Sequence, residues 1–161
     1  MGSLKIIPEQ DLHLIEQEMR RLLEQAPKKT KGSYHDQISE MLHEIGQMEG
    51  KASEKEYRID GERIDVAWKK IAAGNPYAVF EVQIGGNFYE ALAKLKHAWD
   101  KWNSRPFLVT SEQYREKALA WVSGSFHEMQ GELRIVDCEK VKELYEAAKK
   151  IKNLRAELGI S

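Results

Sequence analysis

The feature that most constrains this chain is a change of hydrophobic period around one dipeptide. Asp60-Gly61 stands between Tyr57 and Ile59 on one side and Ile64, Val66 and Trp68 on the other. Alternation by two residues marks a half-buried strand, and Asp-Gly favours the type I′ turn whose twist suits antiparallel partners. The segment therefore reads as a β-hairpin. Without a bulge its register pairs Ile59 with Glu62, Tyr57 with Ile64 and Glu56 with Asp65. One face then carries Tyr57, Ile64, Val66 and Trp68, and the other carries Glu56, Arg58, Arg63 and Asp65. Asp65 projects from mid-strand among charged neighbours.

The flanking segments have helical or continuous apolar patterns. Pro8 and Glu9 suit the first turn of a helix that carries Leu12, Ile15, Met19, Leu22 and Leu23 and runs over residues 9–25. Pro27 and the loop containing Lys28, Lys29 and Lys31 stop it. Ser33 with Asp36 reads as a capping box for a second helix, striped by Tyr34, Ile38, Met41, Leu42, Ile45 and Met48 and closed by Gly50. After the hairpin, Tyr77 to Ile84 is apolar except for Glu81 and Gln83, as a buried central strand would be. Gly85 and Gly86 break it. Asn87 with Glu90 caps a helix marked by Phe88, Leu92, Leu95, Trp99 and Trp102. Phe107 to Val109 is a strand, and Ser111 caps a helix with Tyr114, Ala118, Trp121 and Val122, followed by a flexible break at Ser123 to Ser125. Leu133 to Val136 is a last strand, and Asp137 starts a terminal helix carrying Val141, Leu144, Ala148, Ile151 and Leu158.

Length and composition limit the function classes. The chain has 161 residues, the size of a single domain, and is 32% charged and 42% apolar, a globular balance. No apolar run approaches the roughly 20 residues of a spanning helix, and the first residues lack the apolar core of a signal peptide, so no membrane role and an intracellular, cytoplasmic location are expected. The lone Cys138 has no zinc-type spacing partner and reads as a packing residue near a helix start. A net charge of −1 argues against a protein that coats nucleic acid nonspecifically. Lys28, Lys29 and Lys31 either solvate their loop or meet phosphates.

Three polar groups lie in strands that otherwise want burial. Glu81 and Gln83 leave the same face of the central strand. If the hairpin pairs with that strand, Asp65 lies beside Glu81, and two neighbouring carboxylates repel unless a cation bridges them. A divalent ion held by oxygen ligands and waters answers both this repulsion and the cost of burial, and suits Mg²⁺ or Mn²⁺ rather than zinc. The competing reading is an internal salt bridge and amide hydrogen bond in an ordinary α/β core.

The order helix, three antiparallel strands, helix, strand, with Ile64-Asp65 and Glu81-Val82-Gln83 on the second and third strands, resembles the PD-(D/E)XK nuclease superfamily over Ser33 to Val109. The resemblance implies a restriction endonuclease-like α/β fold: a mixed sheet flanked by helices, an αβββαβ core over about 33–110, an extra N-terminal helix and an αβα extension over 111–159. It assigns the metal to Asp65 and Glu81 and puts Gln83 where the family has a water-orienting lysine. A few restriction enzymes are similar in carrying Glu-x-Gln. Relocated lysines in the family point to Lys94 or Lys96, and the family's first-helix carboxylate points to Glu40 or Glu44. His35 enters that helix as a packed or surface histidine, and His97, His127 and the tryptophans have core or surface roles. The implied activity is Mg²⁺-dependent endonucleolytic hydrolysis of duplex or branched DNA. The alternative is a catalytically silent module of the same fold that binds nucleic acid or a protein. A homodimer is compatible with the apolar stripes of the first and last helices.

Overall fold

The computed structural model describes the backbone of residues 9–160 and the side chains of residues 10, 13–18 and 34–160. The stripe residues Leu12, Met19, Leu22 and Leu23, the lysines at 28, 29 and 31, and the Ser33 cap lie outside the described side chains. The described residues divide into two units, one ending at Tyr34 and the other beginning at His35. The second contains the whole sheet.

That sheet has five strands: β1 (Ala52–Ile59), β2 (Glu62–Lys69), β3 (Ala78–Val82), β4 (Arg105–Thr110) and β5 (Arg134–Asp137), side by side in chain order. The first three pair antiparallel and the last three parallel, so the protein is α/β with a mixed sheet. The β1–β2 turn forms as its dipeptide demands, with Asp60 at φ 44° and Gly61 at φ 85°, the positive values a type I′ turn requires. Ile59 pairs with Glu62 and Tyr57 with Ile64, as expected.

The parallel pairs need crossovers, and the helices α2 (Phe88–Trp102) and α3 (Arg115–Ser125) provide them. Asn87 caps α2 by accepting from the Glu90 N–H at 3.3 Å, and Asp137 caps α4 (Cys138–Glu157) by accepting from the Glu139 N–H at 3.1 Å. Phe88, Leu92 and Leu95 of α2 pack into one cluster with Ala67, Val79 and Leu108. The opposite face carries Phe80, tilted against Trp68 at 4.6 Å and stacked on Phe107 at 4.8 Å. Helix α1 (Glu9–Met48) covers it with Ile38, Leu42 and Ile45, all buried, and the Trp68 indole N–H donates to the Leu42 carbonyl at 3.1 Å. Among the described residues no helix is long and apolar enough to cross a membrane.

Several local expectations are corrected. Residues 26–33 are helical within α1, so neither the stop at Pro27 nor the new start at Ser33 occurs. A proline deletes one ladder bond and strains one turn, about 3 kcal/mol, while its neighbours Glu24, Gln25, Ala26, Lys28 and Lys29 favour helix. Ser123 to Ser125 continue α3 rather than breaking it, and the Ser111 hydroxyl makes no cap hydrogen bond. Strand β4 extends back through Pro106; pairing with β5 starts only at Phe107, so the missing N–H interrupts no bond on that side. Strict alternation also fails in β2: Ile64 and Ala67, three apart, join the same α2-side cluster.

Gly46 sets the approach of α1 to the sheet. A Cβ added there would lie 2.5 Å from the Trp68 Nε1 atom, inside van der Waals contact. Gly46→Ala is therefore expected to destabilise the protein by about 1–3 kcal/mol through overpacking, outweighing the roughly 1 kcal/mol that alanine adds to a helix. The midpoint of urea unfolding checks this; an unchanged or higher midpoint would mean that the indole yields without cost.

Candidate functional site

The site begins with an interruption of the hairpin. Glu56 adopts a left-handed backbone at φ 52°, and the β1–β2 ladder skips Glu56 and Asp65 while keeping one register on both sides. The expected Glu56–Asp65 pair does not form, because a residue in that conformation turns its peptide groups away from the neighbouring strand. The β2–β3 ladder likewise spans only Val66↔Phe80 to Trp68↔Ala78. Beyond it, side chains replace backbone pairing. The Asp65 N–H donates to Glu81 Oε1 at 2.9 Å, and the Val82 N–H donates to Asp65 Oδ2 at 2.7 Å. Each acid thus holds the other's strand.

Both carboxylates are withdrawn from water, with Glu81 only 4% exposed and the Asp65 side chain 14%. Burial pushes the Glu81 carboxyl above its ordinary range, and the Asp65 charge adds to the rise. The Asp65 N–H and the charges of Lys94 and His35 pull it back. On Asp65, the His35 Nε2 donates to Oδ2 at 3.2 Å. That hydrogen bond is the main reason the imidazole is raised to about 9, against the opposing effect of its burial. His35 is therefore neither simply packed nor on the surface: it is the cationic partner of Asp65.

The remaining candidates separate clearly. Lys94, half-buried on α2, forms no ion pair or hydrogen bond among the described residues, yet its charge reaches Glu81. Lys96 is occupied by Asp100 at 2.7 Å and Glu128 at 3.4 Å. Gln83 donates its side-chain amide to the Gly85 carbonyl, folding back on its own turn, while its backbone N–H holds the Val109 carbonyl at 2.9 Å. No hydrogen bond joins it to either acid among the described residues. Glu40 is paired with Lys55, and Glu44 lies by Tyr145, whose hydroxyl it pushes up in pKa, so neither adds a third carboxylate. The reason is helical geometry: at about 100° per residue, Glu40 lies about 140° and Glu44 about 180° around α1 from His35. The signal for His35 was present in the sequence, because it continues the buried stripe Ile38, Leu42, Ile45 by one step.

Among the described residues no group of three or more His, Cys, Asp or Glu side chains is arranged to hold a metal ion. The donor set that the fold does bring together is a carboxylate pair. The bonds described use Asp65 Oδ2 and Glu81 Oε1, leaving Asp65 Oδ1 and Glu81 Oε2 for another partner. Mg²⁺ commonly takes one or two carboxylates and completes its shell with water, so the pair fits that ion and falls short of a closed protein cage. Comparison with family models, curated proteins and solved structures gives no match.

The histidine pair makes stability depend on pH. A His whose folded pKa is about 9 rather than 6.5 contributes stability that is fully present below pH 6.5 and lost as pH rises through 9. The raised Glu81 carboxyl acts in the same direction from its ordinary value upward. Because the ring is about one-third exposed, screening cuts the histidine contribution to about 1–2 kcal/mol. Thermal melting from pH 6.5 to 9.5 is expected to show a decline in the wild type that His35→Gln, which keeps an amide donor, flattens. Equal slopes would detach His35 from Asp65.

Proposed function

We propose that the protein is a divalent-metal-dependent endonuclease of the restriction endonuclease-like fold, acting on duplex or branched DNA. The observation that carries this reading is the crossed pair of hydrogen bonds that fixes Asp65 and Glu81 side by side at the end of a sheet ladder. The order of elements supports it: the latter part of α1, three antiparallel strands, α2 and a parallel β4 follow the αβββαβ plan.

When bound, Mg²⁺ or Mn²⁺ polarises a phosphate and lowers the pKa of a water. Asp65 and Glu81 would hold it. Lys94 supplies the positive charge that Gln83 cannot, from a helix rather than from the strand. His35 fixes the orientation of Asp65 and balances its charge. Gln83 shapes the Gly85-Gly86 turn that leads into α2, and its role shifts from positioning water to positioning backbone.

Gln83 also favours the second reading, a catalytically silent module of this fold, because its amide is committed to Gly85. Two measurements separate the readings. Mn²⁺ is expected to raise the melting temperature of the wild type and not of Asp65→Asn, which keeps an acceptor for the Val82 N–H. In a cleavage assay on linear duplex, branched and single-stranded DNA and on RNA, Lys94→Ala is expected to lose about 10²–10³-fold, the cost of one preorganised electrostatic group, with Mn²⁺ binding retained. Gln83→Ala should lose less than Lys94→Ala. Metal binding without cleavage of any substrate by the wild type would select the silent module; no metal-dependent shift at all would remove the site.

A further inference from the structure

Helix α4 turns its back on the core after its first turn. Cys138 and Val141 are buried, but Leu144, Ile151, Leu154 and Leu158 are 49%, 59%, 47% and 71% exposed. With Ala147 these residues recur in alternating steps of three and four, the a/d repeat of a coiled-coil seam. Along one flank of the seam, the end of α1 with the turn after it and α4 enclose a groove of about 730 Å³, with Glu44 and Glu49 on one wall and Ala148, Ile151 and Arg155 on the α4 wall. Such a seam needs a helix of matching length and charge.

We propose that the occupant is α4 of a second copy of this chain, lying antiparallel across a twofold axis between Lys152 and Asn153. In antiparallel pairing an a residue packs beside a d residue, and this axis places Ile151 beside Leu154 and Ala147 beside Leu158 of the second copy. The layers fill by setting a small residue against a large one at each end. The flanking charges select this register. Lys150 and Glu157 edge the seam on one side, and neither has an ion-pair partner among the described residues. In this register each meets the other's counterpart, giving two symmetric opposite-charge pairs. Sliding by one heptad would set Lys150 against Lys150 and Glu143 against Glu157, and a parallel pairing would set Lys150 against Arg155. Like charges at those positions penalise both alternatives. On the other side, Arg155 of the second copy enters the groove beside Glu44 and Glu49. The assembly carries two Asp65–Glu81 pairs whether or not they are hydrolytic.

Sedimentation equilibrium of the full chain from micromolar to millimolar concentration tests the proposal. The weight-average mass is expected to rise from 18.6 kDa toward twice that value. Ile151→Asp with Leu154→Asp should stay monomeric with an unchanged circular dichroism spectrum. Lys150→Glu and Glu157→Lys should each weaken dimerisation about tenfold or more, and the double exchange should restore it, since only the geometry described pairs those two residues across the axis. A wild type that stays monomeric throughout overturns the proposal and leaves the face to a different protein. A dimer whose affinity the double exchange fails to restore overturns the antiparallel register.

Discussion

Where β2 and β3 stop pairing through their backbones, two side-chain acceptors take over. The Asp65 N–H would otherwise be an orphan, since Glu56 has turned out of the ladder, and the Glu81 carboxylate accepts it; the Val82 N–H is accepted in turn by Asp65. Burying a carboxylate costs several kcal/mol unless it is paired or hydrogen-bonded. Here the same bonds that offset this cost also join the strands, so neither acid can be removed without orphaning a backbone donor. The close approach of two acids is thus a structural requirement of the sheet as well as a feature of the site.

The charges around this junction have a simple division. The strands supply both negative groups, and the helices on the two faces of the sheet supply the positive ones, His35 from α1 and Lys94 from α2. This division explains why Gln83 can spend its amide on Gly85. The turn after β3 has Gly85 at φ 81° and Gly86 at φ 75°, and it must be held for Asn87 to start α2 in register with the sheet. That register in turn fixes where Lys94 stands relative to Glu81.

The tryptophan on β2 has a comparable role on the other face. Trp68 lies against Phe80, donates to the Leu42 carbonyl, and leaves room only for glycine at position 46. That contact sets the height of α1 over the sheet and brings His35, seven residues before Leu42 on the same helical stripe, to Asp65 in the middle of β2. Packing of an apolar face therefore positions a charged group, with no polar contact between the two.

Local pattern was enough to read the hairpin, its Asp-Gly turn, the buried strand with Glu81 and the Asn87 and Asp137 caps, because each depends on neighbours within a few residues; the approach of Asp65 to Glu81 followed from the sequence only on condition that the hairpin pairs with that strand. Continuity of α1 through Pro27 was not legible, since one broken bond competes with the propensities of a whole segment. The Glu56 distortion was hidden as well: unlike Asp60 in its Asp-Gly turn, Glu56 has no local turn signal that would place a non-glycine residue in the left-handed region. Only the packed structure decided that His35 and Lys94, rather than Glu40, Glu44 or Gln83, approach the acids. His35 stands in phase with the buried stripe of α1, but which strand residues it and Lys94 meet is decided between elements far apart in the chain, and no spacing within one of them records that.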